Sequence, residues 1–284
     1  MSNGFSTLKS LSHRRPTAHT MRQSQSCPFD LHRLLRDTSL QHVEYHPSLT
    51  STNTLAAELL EPLIARSPAL VLAAEQTAGR GRRGNQWWSA AGSLTFSLVL
   101  RSLDLPLPPE RRPMVAIAAG LAVRDVLASL AADLEFSLKW PNDVLTNSRK
   151  ICGILVEQHG NADQQGLIIG IGVNVNNSLA DAPADVSQRA TSLSDLQGQP
   201  FDLTDVLIRI LLQLDARISQ LVSQPRLALS EANHHNILNG RVVSIQTGDS
   251  RISGTCAGID EDGQLVLQTL TGLVRCPTGV VCEW

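Results

Sequence analysis

The residues with the clearest chemical potential form the segment GRGRRGNQWW, residues 79–88, where glycines alternate with arginines ahead of two tryptophans. Arg80, Arg82 and Arg83 repel one another at this spacing and gain nothing from a hydrophobic core, so we expect a bound anion to hold them. The glycines let backbone N–H groups approach an anion closely, and Trp87 offers an apolar wall or a stacking face. The segment predicts a phosphate- or carboxylate-binding loop that is ordered by its ligand.

The same residue types also suit a loop with a different role. The spacing does not match GxxxxGK[ST], and although GRGRRG matches GxGxxG, it precedes a strand where a dinucleotide site would open a helix. A solvated basic turn, an RNA contact, or a nucleic-acid-binding module with stacking tryptophans would each fit the segment. The charge balance of 24 basic and 26 acidic residues argues against nucleic-acid binding, because the whole chain has no net positive field to attract phosphates.

A second cluster is KWPNDVLTNSRKICGILVEQ, residues 139–158. We predict Lys139 and Lys150 on neighbouring strands of a hairpin, with Asn142 and Asp143 in the preceding turn. A lysine on the interior face of a sheet is costly unless a carboxylate or phosphate meets it, although ordinary edge charges would give the same pattern.

A third feature is GIGVNVN, residues 170–176. Its small residues allow a ligand to approach closely, and strand alternation would place Asn174 and Asn176 on one face. A buried strand that ends in a polar turn is the alternative.

The elements that must position these residues follow from periodicity and turn signals. Predicted helices span residues 54–65, capped by Ser51 or Thr52, and 112–132, 203–222 and 225–236. Predicted strands span residues 69–75, 93–100, 135–140, 144–158 (a hairpin with its tip near 147–148) and 167–176. After residue 240, short strands between Gly, Asp and Asn turns predict a small all-β module, a barrel.

Composition narrows the class of protein. Five scattered cysteines without a CxxC pair argue for reduced thiols in a cytosol-like compartment and against a zinc or disulfide scaffold. No apolar run reaches the ~18 residues that a membrane span requires. Residues 1–29 are basic, rich in Ser and Thr, and free of acidic residues. A disordered tail, a start assigned too early with Met21 as the true start, or a transit peptide would each fit this composition.

Taken together, Ser51-Thr52-Asn53, EQTAGRGRRGNQW, KWPNDVL, RKICGILVE and GIGVNVN resemble, in this order, the biotin protein ligases, or biotin–[acetyl-CoA-carboxylase] ligases. The resemblance includes the C-terminal β-module. It implies an α+β fold: a mixed, mainly antiparallel sheet with helices on one side, as in class II synthetases, plus a C-terminal SH3-like β-barrel. The implied domains are a disordered extension (1–43), a catalytic domain (44–237) and the barrel (238–284).

The resemblance also implies a reaction. Such ligases join biotin to ATP as biotinyl-5′-AMP, with Mg²⁺ bridging the phosphates, and pass biotin to a lysine of the biotin carboxyl carrier domain of acetyl-CoA carboxylase. Lipoate ligases and octanoyl transferases share the fold and are the nearest alternative. A biotin-responsive repressor is another, although residues 1–50 lack a clear helix-turn-helix, so we expect no operator DNA binding. A cytoplasmic enzyme without membrane attachment, and a homodimer formed through a sheet edge, both fit the family.

The resemblance carries site residues over to this chain. The biotin contacts would be Ser51, Thr52, Asn53, Gln76, Arg80, Gly81, Arg82, Lys150 and Gly153. The nucleotide contacts would be Arg80, Arg82, Arg83, Trp87, Lys139, Asn142 and Asn174. Lys150 would be the main electrostatic catalyst, aided by Arg82, while Asp143 would orient or deprotonate the acceptor lysine. No metal ligand is assigned. One departure is Asn85, where bacterial relatives often carry another basic residue.

Overall fold

The computed structural model describes residues 27–161 and 164–284. Its α-helices are α1 (Leu31–Asp37), α2 (Thr52–Glu58), α3 (Leu60–Ile64), α4 (Val115–Leu130), α5 (Ala184–Ser187), α6 (Leu193–Gln197), α7 (Leu203–Ser223) and α8 (Pro225–His234). Its strands up to residue 173 are β1 (His42–Leu49), β2 (Ala69–Gln76), β3 (Gly79–Arg80), β4 (Gln86–Trp87), β5 (Leu94–Arg101), β6 (Phe136–Lys139), β7 (Asp143–Thr146), β8 (Arg149–His159) and β9 (Gly166–Val173). The remaining strands are β10 (Val242–Thr247), β11 (Ser250–Ile259), β12 (Leu265–Thr269), β13 (Gly272–Cys276) and β14 (Val280–Glu283).

Seven strands form the main sheet, in the order β1-β2-β5-β9-β8-β7-β6. Only β1 and β2 run parallel, and the other neighbouring pairs are antiparallel. The central strand β9 (GLIIGIGV) is buried along its whole length, as expected for a strand covered on both faces. The mixed, mainly antiparallel sheet that the sequence predicted is therefore confirmed.

Helices cover both faces of this sheet, which corrects the expectation of one covered side. Successive side chains of β2 point to opposite faces of the sheet. Leu70 and Leu72 point to one face, where they pack with α4 and α7 in one large core. The intervening Val71 joins a smaller core with α2 and α3 on the other face. Because α2 and α3 are short, they cover only part of that face, and the remainder of it stays open.

The segment after Ser51 forms two short helices, α2 and α3, where the sequence predicted one. The single helix predicted over residues 54–65 is interrupted at Leu59, whose φ of −98° and ψ of 22° are not helical. Pro62 explains the break, because proline cannot donate to residue 58 and is tolerated only in the first turn of a new helix. Ser51 is the N-cap residue of α2, but its side chain makes no capping hydrogen bond.

The longest apolar helix is a core helix. Together with the 3₁₀ turn Pro109–Met114 that precedes it, α4 is long and apolar enough to cross a membrane by length and composition, yet 67% of its most apolar window is buried inside the protein. The sequence predicted its start at Arg112. Arg112 instead lies in the 3₁₀ turn, which also contains Pro113, and the α-helix begins at Val115.

The C-terminal strands form an open sheet in the order β13-β12-β11-β10-β14. These five strands are the small all-β module that the sequence predicted, and among the described residues no pairing joins its edge strands β13 and β14. This C-terminal sheet is tied to the main domain by side chains. Trp140 donates from Nε1 to the Gly263 carbonyl at 3.0 Å, and Asn233 bonds both the N–H and the carbonyl of Ile259, each at 2.7 Å.

The segment ahead of residue 43 contains ordered structure, contrary to the expected disordered extension. Leu34 of α1 is fully buried in the main core. Arg33 of the same helix forms an ion pair with Asp202 at 3.5 Å, just ahead of α7. The expected boundary at residue 43 falls inside β1. The alternatives for residues 1–29 fall mainly on residues 1–26, which lie outside the described residues.

An ion-pair cluster joins three helices behind the sheet. Arg217 on α7 donates from Nε to Asp125 of α4 at 2.9 Å and also pairs with Glu231 of α8. We expect Arg217→Met to cost about 2 kcal/mol of unfolding free energy in urea titrations, because two carboxylates lose their cation in a half-buried site. Arg209→Met is the matched control: it breaks only an exposed α7 pair with Asp205 and should cost less than about 0.5 kcal/mol. Equal losses would contradict the assignment.

Candidate functional site

The arginine segment folds into a small hairpin on the open face of the sheet. Gly79 pairs with Trp87 and Arg80 with Gln86, so β3 and β4 close the hairpin. Its turn needs positive φ at Gly84 (77°) and also at Arg83 (54°). Glycine adopts this conformation without strain, whereas arginine does so at some cost.

Each arginine of the hairpin has a protein partner. Arg80 forms a forked pair with Glu157, at 2.7 and 3.3 Å. Arg82 donates to the side chains of Asn142 at 3.3 Å and Thr278 at 3.1 Å, and Arg83 donates to the carbonyl of Gln246 at 3.2 Å. The arginines therefore have protein partners besides the bound anion that the sequence led us to expect, and binding of that anion stays a prediction. The C-terminal sheet supplies two of the partners, which could not be identified from local sequence.

A bulge in β8 places the second cluster. Asp143 pairs with Gly153, but Leu145 pairs with Lys150, because the register shifts between Val144 and Leu145. Without the extra residue, Lys150 and Gly153 would point to opposite faces of the sheet, being three residues apart. The bulge brings the ammonium of Lys150 to the face that carries Asp143 and Gly153.

The two lysines lie on either side of β7. Lys139 is on β6 and Lys150 on β8, so the prediction of neighbouring strands is wrong. The sequence placed Asp143 in the turn and began the first arm of the hairpin at residue 144, but Asp143 is the first residue of β7, and only Asn142 lies in the turn. Both lysines therefore flank Asp143, one from each side.

Charge is concentrated around Asp143. The Nζ of Lys150 lies 2.6 Å from Asp143 Oδ1, a buried oxygen to which no group of the described residues donates with hydrogen-bond geometry. Burial lowers the pKa of Lys139, an effect that Asp143 opposes and Lys150 reinforces. Burial also lowers the pKa of Arg82, with a further lowering by Arg83 and an opposing effect of Asp143. The arrangement is an excess of cations around one carboxylate.

Trp87 lies on a floor of glycines. A Cβ at Gly172 would overlap its indole, and a Cβ at Gly153 would come within 3.2 Å of it. The Lys150 ammonium lies 5.7 Å from the centre of the same ring, within cation–π range. The indole Nε1 is buried, and no acceptor within the described part of the chain bonds to it. Glycines in these two strands therefore accommodate a protein side chain, where the sequence suggested room for a ligand.

The residues at the start of α2 form a polar corner above β2 and β9. Gln76 Oε1 accepts from the Thr52 N–H at 2.7 Å and from its hydroxyl at 3.1 Å. Asn53 donates to Glu157 at 2.9 Å and accepts from Ser97 at 2.6 Å, so its amide is already engaged. Ser51 is buried, and its side chain takes no part in capping.

The asparagines after β9 do not share a strand face as expected. The strand ends at Val173, and the chain then turns. The Asn174 side chain accepts from Asn177 at 3.1 Å, while Asn176 bonds the backbone of Phe201. Strand alternation therefore does not apply to this pair, and only Asn174 remains beside the site.

These groups line two adjoining cavities, which we call the smaller and the larger cavity, with volumes of about 170 Å³ and about 950 Å³. Of the residues assigned from the sequence, the smaller cavity is lined by Ser51, Thr52, Asn53, Gln76, Arg80, Gly81, Arg82, Trp87, Lys139, Asn142, Asp143, Lys150 and Gly153. Asn174 lines the larger cavity, and Arg83 lines neither. The two cavities share Gln76, Asn85, Gln86, Trp87, Lys139, Asp143 and Lys150.

Two protein-family models match the chain, one over the main sheet and one over the C-terminal sheet. Residues 45–174 match the model of the biotin/lipoate A/B protein ligase family, and residues 239–281 match that of the biotin protein ligase C terminal domain. The bifunctional ligase/repressor BirA of Bacillus subtilis is 37% identical over 240 residues, which cover 83% of this chain and 72% of the relative.

The chain belongs to the biotin/lipoate A/B protein ligase family. Other similar proteins of the family are named as ligases alone, without a repressor activity. The biotin–[acetyl-CoA-carboxylase] ligase of Paracoccus denitrificans is 33% identical over 241 residues, or 81% of this chain and 96% of the relative. The biotin protein ligase of Aquifex aeolicus, solved in complex with biotin and ATP, has a TM-score of 0.72 at 27% identity and covers 85% of this chain and 97% of its own.

Three residues at the site were not predicted from the sequence: Arg189 and Trp284, which line the larger cavity, and Glu157, which lines a further cavity beside the arginine hairpin. Glu157 was in a quoted segment, and its strand position, two residues from Leu155, could have placed it on the cavity face. Arg189 is fixed by main-chain hydrogen bonds between its segment and Lys150, and Trp284 follows the last strand of the C-terminal sheet. No local pattern marks either one, because tertiary contacts bring them to the site.

The lowered pKa of Lys139 can be measured without any ligand. Competitive labelling with a trace amine-acylating reagent across pH, read by mass spectrometry, should give a pKa below the ordinary lysine value of about 10.4, because burial disfavours the ammonium. Asp143→Asn should lower this pKa further, since it removes the charge that opposes the shift. An ordinary pKa in the wild-type protein would contradict the burial of Lys139.

Proposed function

We propose that this chain is a biotin protein ligase. It activates biotin with ATP to form biotinyl-5′-AMP and transfers the biotinyl group to a lysine of a biotin carboxyl carrier domain. Its relatives named biotin–[acetyl-CoA-carboxylase] ligase support an acceptor of the acetyl-CoA carboxylase type. The structures of its relatives with biotin and ATP, and with biotinylated ATP, support the two substrates.

The observation that carries the residue assignment is the shared wall of the two cavities. Lys150, Asp143 and Trp87 line both. The smaller cavity, with the polar corner of Ser51, Thr52 and Gln76 at one end, suits the biotin head group, because a ureido edge needs both donors and acceptors. The larger cavity then takes the nucleotide. Biotin carboxylate and nucleotide α-phosphate would meet at the wall that carries the Lys150 ammonium.

The first step brings two anions together. A carboxylate oxygen of biotin attacks the α-phosphorus of ATP, a new C(O)–O–P bond forms, the α–β bridge breaks, and pyrophosphate leaves. The barrier is largely electrostatic, so a positioned cation at the meeting point is the main catalytic requirement. Lys150 meets it: among the described residues its carboxylate partner is Asp143, and because that ion pair lacks hydrogen-bond geometry, the ammonium keeps donors for the ligand. Arg82 adds positive charge from the hairpin.

The second step needs a neutral amine. The acceptor lysine attacks the anhydride carbonyl, the C–O bond to phosphate breaks, AMP leaves, and the nitrogen loses a proton. Once Lys150 is engaged by the adenylate, Asp143 is the carboxylate at the shared wall that is left to orient the incoming ammonium or accept its proton. This role for Asp143 follows from its position between two lysines.

Magnesium fits the site through the nucleotide. Among residues 27–161 and 164–284, no three His, Cys, Asp or Glu side chains gather as a metal-binding set. Asp143 and Glu157 are paired with Lys150 and Arg80. A magnesium ion would therefore be held mainly by phosphate oxygens and water, with Asp143 as the nearest carboxylate at the shared wall. Bound there, it would neutralise phosphate charge during pyrophosphate release.

The remaining assignments are also part of the proposal. The five cysteines are all unpaired, which supports a reducing, cytoplasmic location. Among the described residues ahead of Ser51, the single helix α1 packs on the core, so we expect no operator DNA binding by this segment. The domain limits at residues 44, 237 and 284 and a homodimer formed through a sheet edge stay predictions.

The decisive experiment combines the protein with biotin, ATP, magnesium and a biotin carboxyl carrier domain. Mass spectrometry should find one biotinyl increment on the carrier, dependent on ATP. A parallel thermal-shift series with biotin and lipoate separates this ligase from the lipoate branch of the family. Stabilisation by lipoate alone, with no increment from biotin, would overturn the proposal.

Lys150→Ala should cripple adenylate formation while leaving biotin transfer from supplied biotinyl-5′-AMP less affected. The ammonium is needed where carboxylate and phosphate meet, a demand specific to the first step. Pyrophosphate release from ATP and biotin measures this step. Lys139→Ala is the matched control, because Lys139 lines the same wall but is proposed to bind nucleotide, so it should mainly raise the KM for ATP. Wild-type pyrophosphate release from Lys150→Ala would refute the role of Lys150.

Arg82→Gly should loosen the intermediate without abolishing its synthesis. Its guanidinium ties the hairpin to Asn142 and Thr278, and a loss of ~1.5–3 kcal/mol corresponds to roughly one to two decades in retention. Free biotinyl-5′-AMP in the filtrate measures the leak. Arg83→Gly removes the same charge one residue on, outside both cavities, and should leak far less. An inert Arg82→Gly protein would contradict this role of Arg82.

A further inference from the structure

We propose that Trp284, which follows the last strand of the C-terminal sheet, is a positioning residue for the nucleotide: its indole holds the Lys139 ammonium at the wall of the larger cavity. This inference rests on the proposed function and deepens it, because it assigns part of the nucleotide subsite to a side chain from outside the main sheet. Trp284 lines the larger cavity together with Lys139, Lys150 and Asn174.

The geometry is that of a cation–π contact. The Nζ of Lys139 lies 4.9 Å from the centre of the Trp284 ring, inside the range of about 6 Å over which an ammonium is attracted by an aromatic face. Arg241 lies 5.2 Å from a ring centre of the same indole and does not line the larger cavity. The indole thus has one cation inside the cavity and one outside it.

Lys139 needs such a contact because its charge is expensive where it sits. Burial and the neighbouring Lys150 both lower its pKa, and Asp143 is already paired with Lys150 at 2.6 Å. Lysine has three rotatable donors on a flexible stem. An aromatic face fixes the ammonium by electrostatic attraction without using its N–H donors, which stay available for a phosphate.

The C-terminal sheet reaches both cavities through one strand. Gly279, Val280 and Val281 line the smaller cavity, and Trp284 lines the larger one. The tie from Trp140 to Gly263 and the ties from Asn233 to Ile259 fix this sheet on the main domain, so the indole is delivered to a defined place. The nucleotide site is therefore completed by the second sheet.

Calorimetric titration with ATP tests the proposal independently of catalysis. Trp284→Ala should weaken ATP binding about three- to tenfold, as expected from the loss of a partly desolvated cation–π contact, with biotin affinity unchanged. Trp284→Phe should restore most of the affinity, and Trp284→Leu, which keeps apolar bulk without an aromatic face, should not. In turnover, the KM for ATP should rise while kcat at saturating ATP is retained.

A double-mutant cycle locates the effect at Lys139. In a Lys139→Met background, Trp284→Ala should cause no further loss of ATP affinity. Leu273→Ala is the matched control, because it truncates an exposed side chain on β13 of the same sheet and lines neither cavity. Equal losses for ATP and biotin, full affinity in Trp284→Leu, or additive losses with Lys139→Met would each overturn the proposal. A wild-type protein that binds ATP but never biotinylates the carrier would instead overturn the proposed function.

Discussion

The proposed site depends on a compact positive charge at the shared wall of the two cavities, where a carboxylate and a phosphate would meet. Lysine occurs at only three positions of the chain, 9, 139 and 150, among 24 basic residues, so 21 are arginine. Two of the three lysines line the shared wall of the cavities. A point charge on a thin stem fits between a carboxylate and a phosphate in a way that a planar guanidinium fork does not. Among the described residues, lysine therefore occurs only at this wall, and every other basic side chain apart from histidine is arginine.

That placement requires a backbone irregularity and an open face of the sheet. The bulge in β8 turns Lys150 towards Asp143 and Gly153, and a regular strand would have turned it away. The short helices α2 and α3 leave the adjoining surface uncovered. Glycines in β8 and β9 have no side chains to fill that surface, and the indole of Trp87 packs directly on their backbone. The indole is therefore a wall of the site before any ligand arrives, which reduces the ordering that binding must accomplish.

The sequence predicted what depends on local pattern and missed what depends on distant contacts. Strands such as β2 and β9, the helices α7 and α8, and the hairpin tip at Asn147 and Ser148 follow from periodicity and turn chemistry, and they are observed. Pairing across the sheet could not be derived, so the position of β7 between the two lysine-bearing strands was missed. Thr278, a partner of Arg82, and Gln246, the partner of Arg83, are each more than 150 positions away in the sequence. Resemblance to a family supplied the roles of residues, and geometry alone supplied their partners.

The contacts of the hairpin explain why the small C-terminal sheet accompanies the catalytic one. Arg82 donates to Asn142 of the main domain and to Thr278, between β13 and β14 of the C-terminal sheet. The position of this one guanidinium therefore depends on both sheets. Because its burial lowers the pKa and its neighbour Arg83 repels it, the conformation of Arg82 is costly unless both partners are in place. A displacement of the C-terminal sheet would release the hairpin, and release of the hairpin would open the cavity beneath it. In the proposed reaction, retention of the adenylate would therefore depend on the contact between the two sheets, while the residues of the main sheet would carry out the chemistry.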